Sequence, residues 1–209
     1  MKIFFVRHGE GLDDTYQEIG GWADRELSPK GVETAFETAK NLTKLTTKAE
    51  IVYTSPLKRC TETADFLGHV LKLAVEESPY LKERNTYGLL SGVTKREAKT
   101  NYPEMYDEFK EGRYIPGAER YKDFVDRVGV FLEELKKIQK QTIICVTHGH
   151  FITVIIEEFL RLHRSYIKDG CILVVDMDEK GKLSLVKNMG VGVGKRSKKD
   201  KQNKRKFKK

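Results

Sequence analysis

Short apolar runs alternate with amphipathic stretches over most of this chain. The runs at residues 3–6, 51–54 and 142–147 are rich in β-branched or aromatic residues and too short for helices, so they predict buried strands. Between them, apolar residues recur at spacings of three and four, which is typical of helices that lie on a sheet. The pattern therefore predicts an α/β fold whose strands are mainly parallel and joined by helices.

The boundaries of several elements can also be predicted. Ser28-Pro29 and Ser55-Pro56 each resemble a helix start, with serine as N-cap and proline in the first turn. Further helices are expected over 119–138 and from about 150 to 160, with a short edge strand at 73–76. Residues 171–177 and 183–186 are expected to form a closing β-hairpin. The predicted architecture has three layers: a central, mainly parallel sheet with helices on both faces.

One segment interrupts this regular pattern. From about residue 78 to 118 the chain is rich in glycine, tyrosine and charge, and only Thr94 and Glu97, which have capping-box spacing, indicate a helix start. An insertion of this kind between sheet elements is expected to form a lid over a site. We therefore predict one domain over residues 1–189 with a lid at about 78–118. A Gly-rich linker and a basic, disordered tail are predicted over 190–209.

Reactive side chains follow two of the predicted strands directly. The first strand ends in Arg7, His8 and Gly9, and the later strand at 142–147 ends in His148 and Gly149. The carboxyl ends of parallel strands meet at one edge of a sheet, where ligands of open α/β proteins bind. A third strand leads through Ser55-Pro56 to Arg59, one turn into a helix. We expect both imidazoles and the two guanidinium groups to face one crevice.

These three motifs, in this order, resemble the histidine phosphatase superfamily, also called the phosphoglycerate mutase-like family. Its marks are an Arg-His-Gly opening, a Ser-Pro-x-x-Arg segment and a late His-Gly, and the resemblance covers roughly residues 1–187. Each motif alone is weak, and the combination is specific. The resemblance implies the phosphoglycerate mutase-like fold and phosphoryl transfer through a phosphohistidine.

The residue types suit that chemistry. Neutral imidazole is a nucleophile that a phosphate dianion does not repel, so His8 is the expected nucleophile. Arg7 and Arg59 offer planar forks for the phosphoryl oxygens, and a protonated His148 would add a third cation. Taken singly, each of these residues is as well explained by a structural role. By resemblance Glu83 is the general acid, whose carboxyl group has to be neutral when the ester breaks. Burial beside the negative charge of the phosphate would favour that state.

The sequence indicates the substrate less clearly than it indicates the type of reaction. Substrate contacts are expected from Arg84, Lys95, Gly21 and Gly149. The segment from Glu83 to Lys95 is similar to cofactor-dependent phosphoglycerate mutases, but the paired arginines and the long insertion of that branch are missing. We therefore expect a metal-independent phosphatase that needs no cofactor and acts on a small phosphorylated metabolite, with a mutase as the alternative.

The charge is concentrated at one end of the chain. Residues 195–209 hold ten Lys/Arg and one acid, whereas the other 194 residues hold 29 basic and 30 acidic side chains. Such a tail can bind nucleic acid or anionic surfaces, so a polyanion-binding protein with a vestigial catalytic body is the alternative of another class. Three cysteines without CxxC spacing and the lack of a signal peptide or membrane span predict the cytoplasm. In a eukaryote the tail, which resembles a nuclear-localisation signal, would allow the nucleus.

Overall fold

The computed structural model describes residues 1–46 and 48–195, and in them the predicted α/β architecture is confirmed. A six-stranded sheet has the order β3-β2-β4-β1-β5-β6. Strands β3, β2, β4 and β1 are parallel, β5 runs antiparallel to β1, and β6 runs antiparallel to β5. The strands are β1 Lys2–Arg7, β2 Val52–Thr54, β3 Val75–Glu77, β4 Thr142–Thr147, β5 His163–Met177 and β6 Leu183–Gly194.

Helices cover both faces of the sheet. They are α1 Leu12–Thr15, α2 Pro29–Leu45, α3 Lys58–Leu71, α4 Lys95–Asn101, α5 Pro103–Lys110, α6 Tyr121–Lys136 and α7 Gly149–Val154, which continues into a π-helical turn at Ile155–Phe159. Because side chains alternate along β1, Phe5 packs on the α6 and α7 side, whereas Phe4 packs on the α2 and α3 side. A strand buried on both faces has to be apolar throughout, which explains the unbroken run in β1.

The two predicted helix starts differ in outcome. At α2 the Ser28 hydroxyl accepts a hydrogen bond from the Gly31 N–H, with Pro29 in the first turn, so this prediction is confirmed. At α3 the prediction is wrong, because the helix begins at Lys58 and Leu57 occupies the N-cap position without a side-chain cap. Ser55 makes a long-range contact instead, with a histidine of the site.

The segment at 78–118 forms a substructure over the carboxyl edge of the sheet. It contains 3₁₀ turns at Pro79–Leu81 and Gly88–Leu90 besides α4 and α5, and the capping box of Thr94 and Glu97 is present. The segment has a small apolar core of its own, formed by Leu90, Ala98 and Ile115. Ile19, from the loop after α1, completes this core. That this segment acts as a lid stays a prediction.

The end of the domain was predicted incorrectly. The glycine run at 190–194 is not a linker: it belongs to β6, and Val191 to Gly194 pair with residues 163–167 of β5. The hairpin is therefore longer than predicted at both of its strands. Gly192 leaves room for two side chains of β5, since a Cβ on it would clash with Ser165 and Tyr166. The predicted basic tail lies, apart from Lys195, outside the described residues.

None of the described helices combines the length and the apolar character needed to cross a lipid bilayer. The three cysteines are buried free thiols, in agreement with a packing role.

Candidate active site

The two predicted histidines lie side by side because their strands are neighbours. In the parallel register of β1 and β4, Arg7 is paired with Thr147, so His8 and His148 leave the sheet at the same level. Their ring centroids are 4.9 Å apart, with the rings at 64° to each other. The backbone N–H of His8 donates to the Thr147 carbonyl over 3.1 Å, which fixes this juxtaposition. The prediction that the two imidazoles meet at one strand edge is confirmed.

The hydrogen bonds of His8 define its tautomer. Nδ1 lies 2.6 Å from the Gly9 carbonyl, which can only accept, so Nδ1 carries the proton. Nε2 accepts from Nε of Arg59 over 3.2 Å and therefore presents a lone pair. Burial, followed by the charges of Arg59 and Arg7, lowers the pKa of His8 well below its ordinary value. The imidazole is thus uncharged at neutral pH, with Nε2 directed at a guanidinium group that can bind an anion.

Arg59 connects the two histidines and is itself held by a loop. Its Nη1 donates to the Ala23 carbonyl over 2.5 Å and its Nη2 to the Gly21 carbonyl over 3.0 Å. Nη2 also lies 3.3 Å from Nδ1 of His148. Only 3% of the residue is exposed, so the fork is positioned before any substrate binds. Gly21, which was predicted to contact substrate, lines the cavity and also orients Arg59 through its carbonyl.

His148 is fully buried and has a second polar partner. Because Arg59 donates to its Nδ1, the proton is on Nε2, which donates to the hydroxyl of Ser55 over 2.8 Å. Burial and then the charge of Arg59 lower the pKa of His148 well below its ordinary value. Without a bound anion His148 is therefore neutral, and its predicted role as a third cation stays a prediction for the complex.

Arg7 holds an unsatisfied donor next to the histidines. Its Nη2 pairs with Asp169 at 3.1 Å and its Nη1 donates to the Ile167 carbonyl over 3.4 Å. Its Nε is buried and has no partner among the described residues. A Cβ on Gly149 would lie 3.6 Å from this nitrogen, so the glycine leaves the approach to it open. A buried N–H without a partner is costly in a folded protein and fits a site for an anionic oxygen.

The groups around Glu83 favour its ionised form. Burial alone would raise its pKa, but the hydrogen bond and positive charge of His150, with the Arg84 N–H and Arg59, outweigh burial and lower the pKa. Its Oε1 accepts from the Arg84 N–H over 2.8 Å and lies 3.4 Å from Nδ1 of His150. These groups favour the carboxylate, and a neutral Glu83 beside a bound phosphate stays a prediction.

A cavity of about 330 Å³ is lined by Arg7, His8, Arg59 and Glu83. His148 does not line it, but its ring packs against the ring of His8, with the centroids 4.9 Å apart. Lys95, at the start of α4, also lines the cavity, together with Tyr87 and Phe109, whose rings pack edge to face at 5.5 Å. That Lys95 binds substrate stays a prediction. Three carboxylate residues also line it: Asp13, Glu18 and Glu83.

Arg84 was predicted to bind substrate and lies elsewhere. Its Nε donates to the Glu119 carbonyl over 3.1 Å and its guanidinium group stacks over the Tyr121 ring at 5.5 Å. It is not among the residues that line the cavity. The stacking partner is supplied by α6, and that Arg84 binds substrate stays a prediction.

Comparison with known proteins agrees with this geometry. The family model of the histidine phosphatase superfamily (branch 1) matches residues 3–189. The chain belongs to the histidine phosphatase superfamily.

Within the superfamily, relatives of two kinds resemble the chain. A 2,3-bisphosphoglycerate-dependent phosphoglycerate mutase of Streptococcus uberis is 28% identical, over 86% of this chain and 95% of that protein. The α-ribazole phosphatase of Shigella flexneri has a TM-score of 0.74 at 23% identity, covering 89% of this chain and 95% of its own. The phosphoglycerate mutase of Bacillus anthracis has a TM-score of 0.72 at 21% identity, covering 91% and 92%. At these identities the structural similarity shows the fold only. The reaction has to be inferred from the residues of the site.

One cavity residue of this superfamily member was missed from sequence. His150 directly follows the His-Gly motif, and the sequence pattern predicts for it only the start of an apolar helix. Its side chain lies against Glu83, which is 67 residues earlier in the chain. The sequence does hold a signal for this residue. His150 lies in the first turn of the helix that directly follows the His-Gly motif.

Proposed function

We propose that this protein is a phosphomonoester hydrolase that works through a phosphohistidine on His8. The observation that carries the proposal is the geometry at His8: Nδ1 lies 2.6 Å from the Gly9 carbonyl and Nε2 lies 3.2 Å from Nε of Arg59, so Nε2 can present its lone pair. When a phosphomonoester binds, the guanidinium group is expected to transfer its hydrogen bond from Nε2 to a phosphoryl oxygen. The freed lone pair then attacks phosphorus, and the Gly9 carbonyl supports the cationic ring through Nδ1.

Charge on the transferring phosphoryl group would be met by fixed donors. Arg59 supplies a fork already held by two carbonyl groups, and Arg7 supplies the unpartnered Nε. Such donors need no reorganisation during the reaction, which is why removing one typically costs about a hundredfold or more in rate. A bound dianion would also favour the protonated form of His148, because it adds negative charge to a pocket that otherwise holds cations.

The lid side of the cavity supports a phosphatase over a mutase. A mutase has to hold a second anionic group and keep water from the phosphohistidine. Among the basic lid residues, Lys95 lines the cavity, whereas Arg84 is stacked outside it and Arg113 pairs with Glu108 and Glu111. The mutase stays as the second candidate, because the curated relatives carry that name and because Tyr87 and Lys95 both line the cavity.

The proposal is tested by a phosphate-release screen over sugar, glycerate and aryl phosphomonoesters at several pH values, with a chelator present. We expect turnover by the wild type in chelator and a loss of at least about a hundredfold in His8→Ala, which lacks the nucleophile. The same samples, followed by NMR with 3-phosphoglycerate, report on the alternative. Rapid conversion to 2-phosphoglycerate with negligible release of phosphate would overturn the phosphatase and establish the mutase.

A further inference from the structure

His150 and Glu83 form a close pair at the wall of the cavity. Nδ1 of His150 lies 3.4 Å from Oε1 of Glu83, and the backbone N–H of His150 lies 3.4 Å from Oε2. The carboxyl group is nearly buried, with 12% of its side chain exposed, whereas 53% of the imidazole side chain is exposed. Both residues line the cavity that holds His8. The pair therefore joins the reacting end of the site to solvent.

The charges around the pair decide where its proton resides. The hydrogen bond with Glu83 raises the pKa of His150 above its ordinary value, while burial and the neighbouring Arg84 and Arg164 oppose the shift. Glu83 faces His150 and Arg59, and its pKa is lowered although burial acts to raise it. Both shifts favour the arrangement in which the pair's one proton is on the imidazole and the carboxylate is ionised. For a group expected to protonate a leaving alkoxide, this resting state needs an explanation.

We propose that His150 is a positioning residue that orients Glu83 and supplies the proton that Glu83 passes to the leaving oxygen. The inference rests on the proposed function. Glu83 first takes the proton from Nδ1 of His150. As the bond from His8 Nε2 to phosphorus forms and the ester P–O bond breaks, the ester oxygen takes that same proton from the Glu83 carboxyl group. In hydrolysis, water gives its proton back through Glu83 to His150 while its oxygen binds phosphorus and the P–N bond breaks.

This arrangement has a consequence for pH dependence. With His150 present, the pair keeps its one proton up to the raised pKa of the imidazole. Without it, Glu83 would have to hold the proton alone, and a carboxyl group loses its proton at lower pH than an imidazole does. The basic limb of the activity profile should then move toward acid. The effect should be confined to esters whose leaving group requires a proton.

The first test compares His150→Gln with wild type on glycerol phosphate and on 4-nitrophenyl phosphate, whose leaving group departs without a proton. The backbone contact to Oε2 stays in this variant, so the fold should be kept, and thermal unfolding checks it. We expect kcat on glycerol phosphate to fall about tenfold or more at pH 7.5, with the basic limb about one pH unit or more lower. On 4-nitrophenyl phosphate we expect a change of less than about threefold. His69→Gln, an exposed histidine of α3, is the matched control.

An equal fall on both esters with an unshifted profile would overturn the proposal, as would wild-type behaviour on both. A second measurement needs no turnover: the ring of His150 is titrated by NMR in wild type and in Glu83→Gln. We expect its pKa to fall in the variant, and an unchanged pKa would overturn the pairing. If the wild type hydrolyses no ester, the proposed function fails by itself, and the titration still decides whether the pair exists.

Discussion

Replacing Arg59 by lysine would keep the positive charge of the site and remove its fork. In the structure one guanidinium group reaches Nε2 of His8 at 3.2 Å, the Ala23 carbonyl at 2.5 Å, the Gly21 carbonyl at 3.0 Å and Nδ1 of His148 at 3.3 Å. Lysine has three donors at a single point on a flexible chain. It cannot reach both loop carbonyls and both rings, so a buried acceptor is left without a partner.

Two magnitudes follow from these contacts. Each buried acceptor left unsatisfied costs about 1–3 kcal/mol, so the loss of one or two partners should lower the free energy of unfolding by about 1–6 kcal/mol. Loss of a fixed donor to the transferring phosphoryl group should lower kcat by about 10²–10³, which corresponds to about 2.7–4 kcal/mol in the transition state. The rate effect should exceed any change in KM, because the donor acts most strongly as charge develops on the phosphoryl oxygens.

The assay is steady-state phosphate release by Arg59→Lys on the best ester of the screen, with urea unfolding on the same preparation. Arg161→Lys is the matched control, because its side chain is 72% exposed and its ion pair with Glu158 is at the surface. The control should stay within about twofold of wild type. A folded Arg59→Lys enzyme whose kcat lies within about threefold of wild type would refute the assigned role of the fork.

Three further outcomes are expected. Because burial lowers the pKa of His8 and His148 below 6.5, the unfolded chain binds more protons than the folded one below that pH. The free energy of unfolding should therefore fall as pH drops below 6.5, by up to about 1.4 kcal/mol per pH unit for each histidine; a pH-independent value between 7 and 5.5 would contradict this. Gly9→Ala should abolish activity and destabilise the fold, since its Cβ would clash with the Gly31 carbonyl, and a stable, active variant would show that α2 can move away. Deleting residues 195–209 should leave turnover on small esters unchanged and abolish retention on a polyanion column; lost turnover would assign the tail to catalysis.

The site residues whose positions could be predicted from the sequence are those that lie at or just after the ends of strands. His8 and His148 each follow an apolar run directly, and in neighbouring parallel strands such positions come together whatever the loops do. Arg59 is one turn into a helix after a third strand of the same sheet, so its arrival at the same edge also follows from topology. The local sequence is enough to predict these positions, because each one follows a short apolar run that forms a strand.

What could not be predicted depends on contacts between distant segments. The glycine run after Gly190 has the composition of a linker, and only its pairing with residues 163–167 makes it a strand. Ser55 has the pattern of an N-cap, but it hydrogen-bonds His148 instead. Arg84 turns away to stack on Tyr121. In each case a tertiary partner outweighs a local preference.

Whether the phosphoryl group is transferred to Nε2 of His8 can be determined by ³¹P NMR of the trapped phosphoenzyme. Enzyme mixed with an aryl phosphate is quenched in alkali, which preserves phosphohistidine, and the isomer is read from the phosphorus shift and its coupling to the ring. Because Nδ1 of His8 donates to the Gly9 carbonyl, the account predicts the Nε2 isomer at His8 and none in His8→Ala. Phosphate on Nδ1, or a phosphoenzyme that persists in His8→Ala, would contradict it.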